Sequence, residues 1–83
     1  MKLEKYFEAL NDSEKALELM VPEVESNRKS RAAVRCRRAF ALQHLEQDVE
    51  ALIELEEASK ILPDDDKLQQ DLKNLRNQIN SKS

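Results

Sequence analysis

Apolar positions in this 83-residue chain recur at steps of three and four, the period of a helix face rather than of a strand. The clearest case is Leu68, Leu72, Leu75 and Ile79, separated by Lys, Gln, Asn and Arg. Such a stripe predicts a helix that turns one face to a core and the others to water. Three more helical segments precede it. Residues 2 to 20 carry Phe7, Leu10, Leu17 and Met20, and Pro22 closes that run because proline removes a backbone donor and restricts the residue before it. Ser26 or Asn27 is placed to cap a second segment, which reaches residue 45 with Val34, Cys36, Phe40, Ala41, Leu42 and Leu45. The third, residues 48 to 62, has Asp48 at its start, Pro63 at its stop, and Val49, Leu52, Ile53, Ala58, Ile61 and Leu62 within it. The acidic triplet Asp64, Asp65 and Asp66 opens the fourth, where negative charge suits a helix N-terminus, and Ser81 to Ser83 are expected to fray.

Composition narrows the fold class further. Hydrophobic residues make up 40% of the chain and charged residues 37%, with the apolar ones too regularly spaced for a disordered tail. Glycine is absent, so nothing supplies low-cost positive φ for tight hairpins or phosphate-cradling loops. The expectation is an all-α fold of about four helices joined by short connections. No apolar run approaches the roughly 20 residues that span a bilayer, and the charged residues after Met1 leave no secretory segment. The single Cys36 has no internal disulfide partner and reads as a small buried hydrophobe in a reducing, cytoplasmic setting.

Repetition gives the fold its name. Residues 32 to 65 span one 34-residue unit with Ala39 at a small position of its first helix. Ala51 and Ala58 take the two small positions of its second helix, Leu55 the large position between them, and Pro63 its end. Small side chains along the contact let two antiparallel helices approach closely. This pattern resembles the tetratricopeptide repeat, although Arg35 and Arg38 stand where large apolar residues are usual. Ala9 and Ala16 repeat the seven-residue spacing of Ala51 and Ala58, with Pro22 beyond them. The resemblance therefore divides the chain into three parts: residues 1–22 as the second helix of a preceding repeat, 23–63 as a complete repeat, and 64–83 as a capping helix with its tail. The first helix of the preceding repeat is missing, which implies a piece of a longer antiparallel helix-pair solenoid.

A narrower likeness rests on the run from Glu8 to Leu19 through Pro22, on Ala33 to Ala41, on Ile61-Leu62-Pro63 and on the closing Leu75 to Ile79. The long connection from Val21 to Ser30 belongs to it as well. These stretches resemble the C-terminal repeats of the axonemal dynein assembly factor family. That resemblance implies a cytoplasmic co-chaperone module engaging Hsp90 or Hsp70 C-terminal peptides, or other assembly factors, during assembly of ciliary dynein arms.

Charge distribution bears on how such a module would hold its partner. The net charge of −3 hides six cations and no acid between residues 28 and 38 (Arg28, Lys29, Arg31, Arg35, Arg37 and Arg38), against a balance of −9 elsewhere. Repeats of this family that bind chaperone tails use a carboxylate clamp of Lys, Asn and Arg. By resemblance the clamp's arginine falls on Arg37 and its lysine on Ala33, which leaves the clamp incomplete, with Arg35 or Arg31 as substitutes. The competing reading is a solvated basic face paired with nearby acids such as Glu50, Glu54 and Glu57.

Three other function classes compete with this reading. A self-associating module would dimerise through an apolar face formed by Phe7, Leu10 and Val34. Nucleic-acid binding through the basic run has only Tyr6, Phe7 and Phe40 for stacking, within an acidic chain. Catalysis has no support: His44 is the sole histidine and lacks partners at metal spacing, and the aspartate triplet lacks the glycine and distal glutamate of a calcium loop. No cofactor is expected.

Overall fold

The computed structural model describes residues 2–82, and these fold into four α-helices: α1 (Lys2–Leu19), α2 (Arg28–His44), α3 (Asp48–Ile61) and α4 (Asp66–Lys82). A short 3-10 turn, Glu25–Asn27, precedes α2, and no strand occurs among the described residues. Each helix packs on its neighbours in sequence, α1 on α2, α2 on α3, and α3 on α4. Cross-helix pairs fix their directions. Arg38 reaches Leu10 and Glu14 while Tyr6 stacks near Phe40, so α1 and α2 run antiparallel. Arg28 meets the Ile61 carbonyl while Arg38 meets Glu54, and Gln69 meets Ser59 while Arg76 meets Glu56, so the next two pairs do the same. The result is the all-α fold expected from the periodicity, arranged as the antiparallel helix-pair solenoid that the repeat resemblance implies.

The core is thin. The whole chain has principal extents of 38 × 33 × 16 Å, little more than one helix diameter in the shortest direction. Ala32, Ala39, Ala51 and Ala58 are at most 1% exposed, and Leu42, Leu55, Leu68, Leu72 and Leu75 fill the spaces beside them. The alanines expected to line the contact between α2 and α3 do line it. The stripe of α4 is also as expected, with three leucines buried and Ile79 packed at the margin.

The connections show how a chain without glycine turns. After α2, the Gln47 N–H donates to the Leu42 carbonyl (2.8 Å) and the Glu46 N–H to the Gln43 carbonyl (3.0 Å), a Schellman closure that satisfies two terminal carbonyls. The left-handed residue this closure requires is Glu46, with φ of 61°. Gln47 then occupies the cap position of α3, so Asp48, expected to cap, is the first helical residue instead. Asn27 does stand at the cap position of α2, but its carboxamide serves the preceding link. Its Oδ1 accepts from the Val24 N–H and from Arg31 Nε (2.6 Å), and its Nδ2 donates to the Met20 and Pro22 carbonyls. At the far end, α4 continues through Lys82 where fraying was expected from Ser81, and Ser83 lies outside the described residues.

Candidate functional site

The six-cation run lies at the start and middle of α2, and its side chains separate into engaged and unengaged sets. Arg28 donates to the Ile61 carbonyl (2.8 Å) and pairs with Glu25. Arg31 pairs with Glu23 (2.9 Å) and also holds Asn27. Arg35 and Arg38 share Glu54 at 2.7 and 3.1 Å. Arg38 reaches further, to Glu14, to Ser13 Oγ and to the Leu10 carbonyl, and so ties α1 to α3 through α2. Arg37 and Lys29 are the cations of this run that have no acidic partner among the described residues. Of the three sequence-derived site residues, Arg31 and Arg35 are thus committed to structural pairs, and Arg37 is exposed and free. Of the acids expected to neutralise this face, Glu54 does so, while Glu57 pairs with Lys60 on its own helix.

Arg37 belongs to a stripe of α2 that runs Ala33, Cys36, Arg37, Phe40 and His44 at helical spacing along one face, all exposed but the half-buried Cys36. Phe40 stands 58% exposed at its centre. Its ring lies 4.3 Å from that of His44 and 6.4 Å from that of Tyr6, and His44 and Tyr6 are 4.5 Å apart, a three-ring cluster bridging α2 and α1. His44, which lacks partners at metal spacing, is exposed and packs in this cluster. Of the residues named for an apolar face, Phe7 is exposed, Val34 is half-buried and Leu10 packs against the core.

Two grooves flank the stripe and share Cys36 and Phe40 as the ridge between them. On the α4 side, a groove of about 280 Å³ is lined by Gln43, Asp71, Asn74 and Gln78 above Leu55 and Leu75. Its carboxamides can donate to and accept from a peptide backbone. On the α1 side, a groove of about 440 Å³ has Tyr6, Ala9 and Ala41 in its walls with Lys5 and Arg37 at its margins. Sequence reasoning found Arg37 and named Tyr6 and Phe40 only as stacking aromatics, and it missed Lys5 and the carboxamides of α4. The only signal for them was their register on faces that the core leaves bare.

Cys36, half-buried in the ridge, has its thiol pushed above the ordinary value. Burial is the main cause, Asp71 and Asp65 add to it, and Lys67 opposes it. The thiol is accordingly a packing group rather than an activated nucleophile at neutral pH. Among the described residues no three His, Cys, Asp or Glu side chains converge as a metal site would require. No described helix is long and apolar enough to cross a membrane.

No family model matches the chain, and no solved structure is significantly similar to it. Curated proteins do match. Dynein axonemal assembly factor 4 of Rattus norvegicus, of Pongo pygmaeus and of Mus musculus are each 40% identical to the chain over 79 residues. The alignments cover 95% of this chain but 19% of each relative, so the chain spans about a fifth of the length of the proteins it matches. Over almost all of its own length, then, this helical chain is related in sequence to a dynein assembly factor.

Proposed function

We propose that the chain is a protein-binding module of the tetratricopeptide type, acting in the cytoplasm within a co-chaperone for dynein assembly, and that it performs no catalysis. In this reading α2 and α3 form one repeat, α1 is the second helix of a preceding one, and α4 caps the pair. Two lines support the repeat: the buried alanines at its small positions, and the relationship to dynein axonemal assembly factor 4.

The observation that carries the binding role is the isolation of Arg37. In a run where four other arginines are consumed by internal partners, Arg37 stays exposed beside Phe40, at the margin of the groove between α1 and α2. A guanidinium with a free donor fork suits a carboxylate, and the partner class this favours is an acidic chaperone tail ending in a free carboxylate, as on Hsp90 and Hsp70. One turn earlier on the same face, Ala33 is exposed and contributes no charge. Half a clamp implies weak affinity from this chain alone, with further cations supplied by other helices.

Calorimetric titration of an acidic peptide with a free terminal carboxylate, into the wild-type chain and Arg37→Ala, tests the reading. Weak binding that disappears in Arg37→Ala supports it. Submicromolar binding by this chain overturns the half-clamp argument, and binding indifferent to Arg37→Ala removes Arg37 from the site.

A further inference from the structure

We infer that the trough between α2 and α4 binds an extended segment of a partner protein through one basic residue of that segment, a lysine or arginine whose head group meets Asp71. This rests on the reading of the chain as a protein-binding module, and it uses neither Arg37 nor a terminal carboxylate.

Both banks of the trough belong to this chain. Helices α2 and α4 each pack on α3, and their backbones make no close approach to one another. A space of about 280 Å³ is left between them, with Leu55 of α3 and Leu75 of α4 among its apolar lining. That is below the roughly 300–1,000 Å³ of a small-molecule pocket, so the trough takes a side chain or two rather than a packed helix.

The α4 bank suits an extended backbone. Asp71, Asn74 and Gln78 stand at i, i+3 and i+7 on one face of the helix. Asn74 and Gln78 are about 6 Å apart along the axis, close to the two-residue repeat of about 6.6–6.8 Å at which an extended chain presents peptide groups to one side. Gln70 Nε2 donates to Asn74 Oδ1 (3.0 Å), which leaves Asn74 Nδ2 to donate to a peptide carbonyl. The carboxamides of Gln78 and, on the α2 bank, Gln43 hold no partner among the described residues.

Charge selects the side chain. Asp71 is the one charged residue that lines the trough, and no cation pairs with it among the described residues. Its influence crosses to α2, where the Cys36 thiol is pushed up chiefly by burial and then by Asp71 and Asp65, against Lys67. A lysine or arginine lays its methylene stem over Leu55, Leu75 and Phe40 and carries its head to Asp71. An acidic side chain meets like charge there, so the trough and Arg37 select opposite partners.

The test titrates blocked peptides of about seven residues into the isotopically labelled 83-residue chain and follows amide shifts by nuclear magnetic resonance. The peptides are serine, threonine and alanine around a central arginine, norleucine or glutamate, and their acetyl and amide ends remove terminal charge. The arginine peptide should bind with a Kd of about 1 mM, at least about fivefold more tightly than the other two, and should shift the side-chain amides of Asn74 and Gln78. Asp71→Asn should abolish the preference, and Asp71→Arg should transfer it to glutamate. Asp71 is exposed, so both variants should fold, as circular dichroism would verify. Asn74→Ala should weaken the arginine and norleucine peptides alike, and Arg37→Ala should leave both unchanged. Equal affinity for the three peptides overturns the proposal, as does a preference that Asp71→Arg leaves in place, or the absence of shifts at several times that concentration. Binding of the acidic carboxylate-terminated peptide without binding of these overturns this inference and spares the module reading, whereas binding of neither overturns both.

Discussion

Arg38 Nε lies 3.1 Å from Glu54 Oε1, and Arg35 occupies the other oxygen of the same carboxylate at 2.7 Å. These side chains are mostly shielded, Glu54 at 15% exposure and Arg38 at 21%. Arg35 and Arg38 are the two positions where the repeat pattern would place large apolar residues, and one glutamate on α3 makes both tolerable. The charges replace a hydrophobic contact with an ionic one of the same reach, and Arg38 extends it to α1.

Removing the shared acid should therefore cost more than removing a surface partner. Glu54→Ala leaves two guanidinium groups partly desolvated and without their counter-charge, and it should destabilise the chain by about 2–3 kcal/mol, read from the urea midpoint. Replacing the whole cluster, Arg35→Leu with Arg38→Met and Glu54→Leu, should recover most of that loss, because a packed apolar cluster needs no counter-charge. A Glu54→Ala cost below about 0.5 kcal/mol would show that these pairs behave as solvated surface bridges.

Glu46 carries a second local cost. Its left-handed backbone closes α2, and a β-carbon there is disfavoured by about 1 kcal/mol relative to glycine. Glu46→Gly should raise stability by about 0.5–1 kcal/mol, offset in part by the greater freedom of glycine in the unfolded chain. On a domain of this size that corresponds to a rise of about 2–8 °C in the thermal midpoint. A fall in the midpoint would mean that the Glu46 side chain contributes more than its backbone costs.

The helices were legible because their apolar stripes have the right period, and the contact between α2 and α3 because buried alanine leaves a recognisable spacing. Ala39, Ala51 and Ala58 announce close approach whatever surrounds them. The turn at Glu46 was not legible, since the residue that adopts positive φ is not one that favours it. Nor did the basic run reveal which of its members would be free. Arg31, Arg35 and Arg37 are chemically alike, and their fates depend on whether Glu23, Glu54 or nothing lies opposite, which is a property of helix packing. The grooves are further removed from sequence, being spaces between helices whose distance no single segment encodes.

Ala33 offers a gain-of-function test of the clamp reading. It is exposed and lies one turn before Arg37 on the same face of α2. Ala33→Lys places a second cation within reach of a carboxylate held by Arg37, and it should tighten binding of an acidic carboxylate-terminated peptide by about tenfold, roughly 1.4 kcal/mol. The gain should shrink steeply as salt is raised from low to physiological concentration, because both cations are solvent-exposed. Unchanged affinity in Ala33→Lys would place the peptide away from this face.

Cys36 supplies a pH-dependent readout of the ridge between the grooves. Burial, reinforced by Asp71 and Asp65 and opposed by Lys67, holds its thiol above the ordinary value in the folded chain. The folded state then retains a proton that the unfolded state loses first, so stability is undiminished below the unfolded thiol's pKa and falls as pH rises toward the folded one. Alkylation by iodoacetamide should likewise be slow at neutral pH, with a midpoint above that of a free thiol. Asp71→Asn removes the larger of the two anionic contributions and should bring that midpoint down without abolishing the effect of burial. Occupancy of either groove should slow alkylation further, since Cys36 lines both. A midpoint at or below that of a free thiol would place Cys36 in water rather than in the ridge.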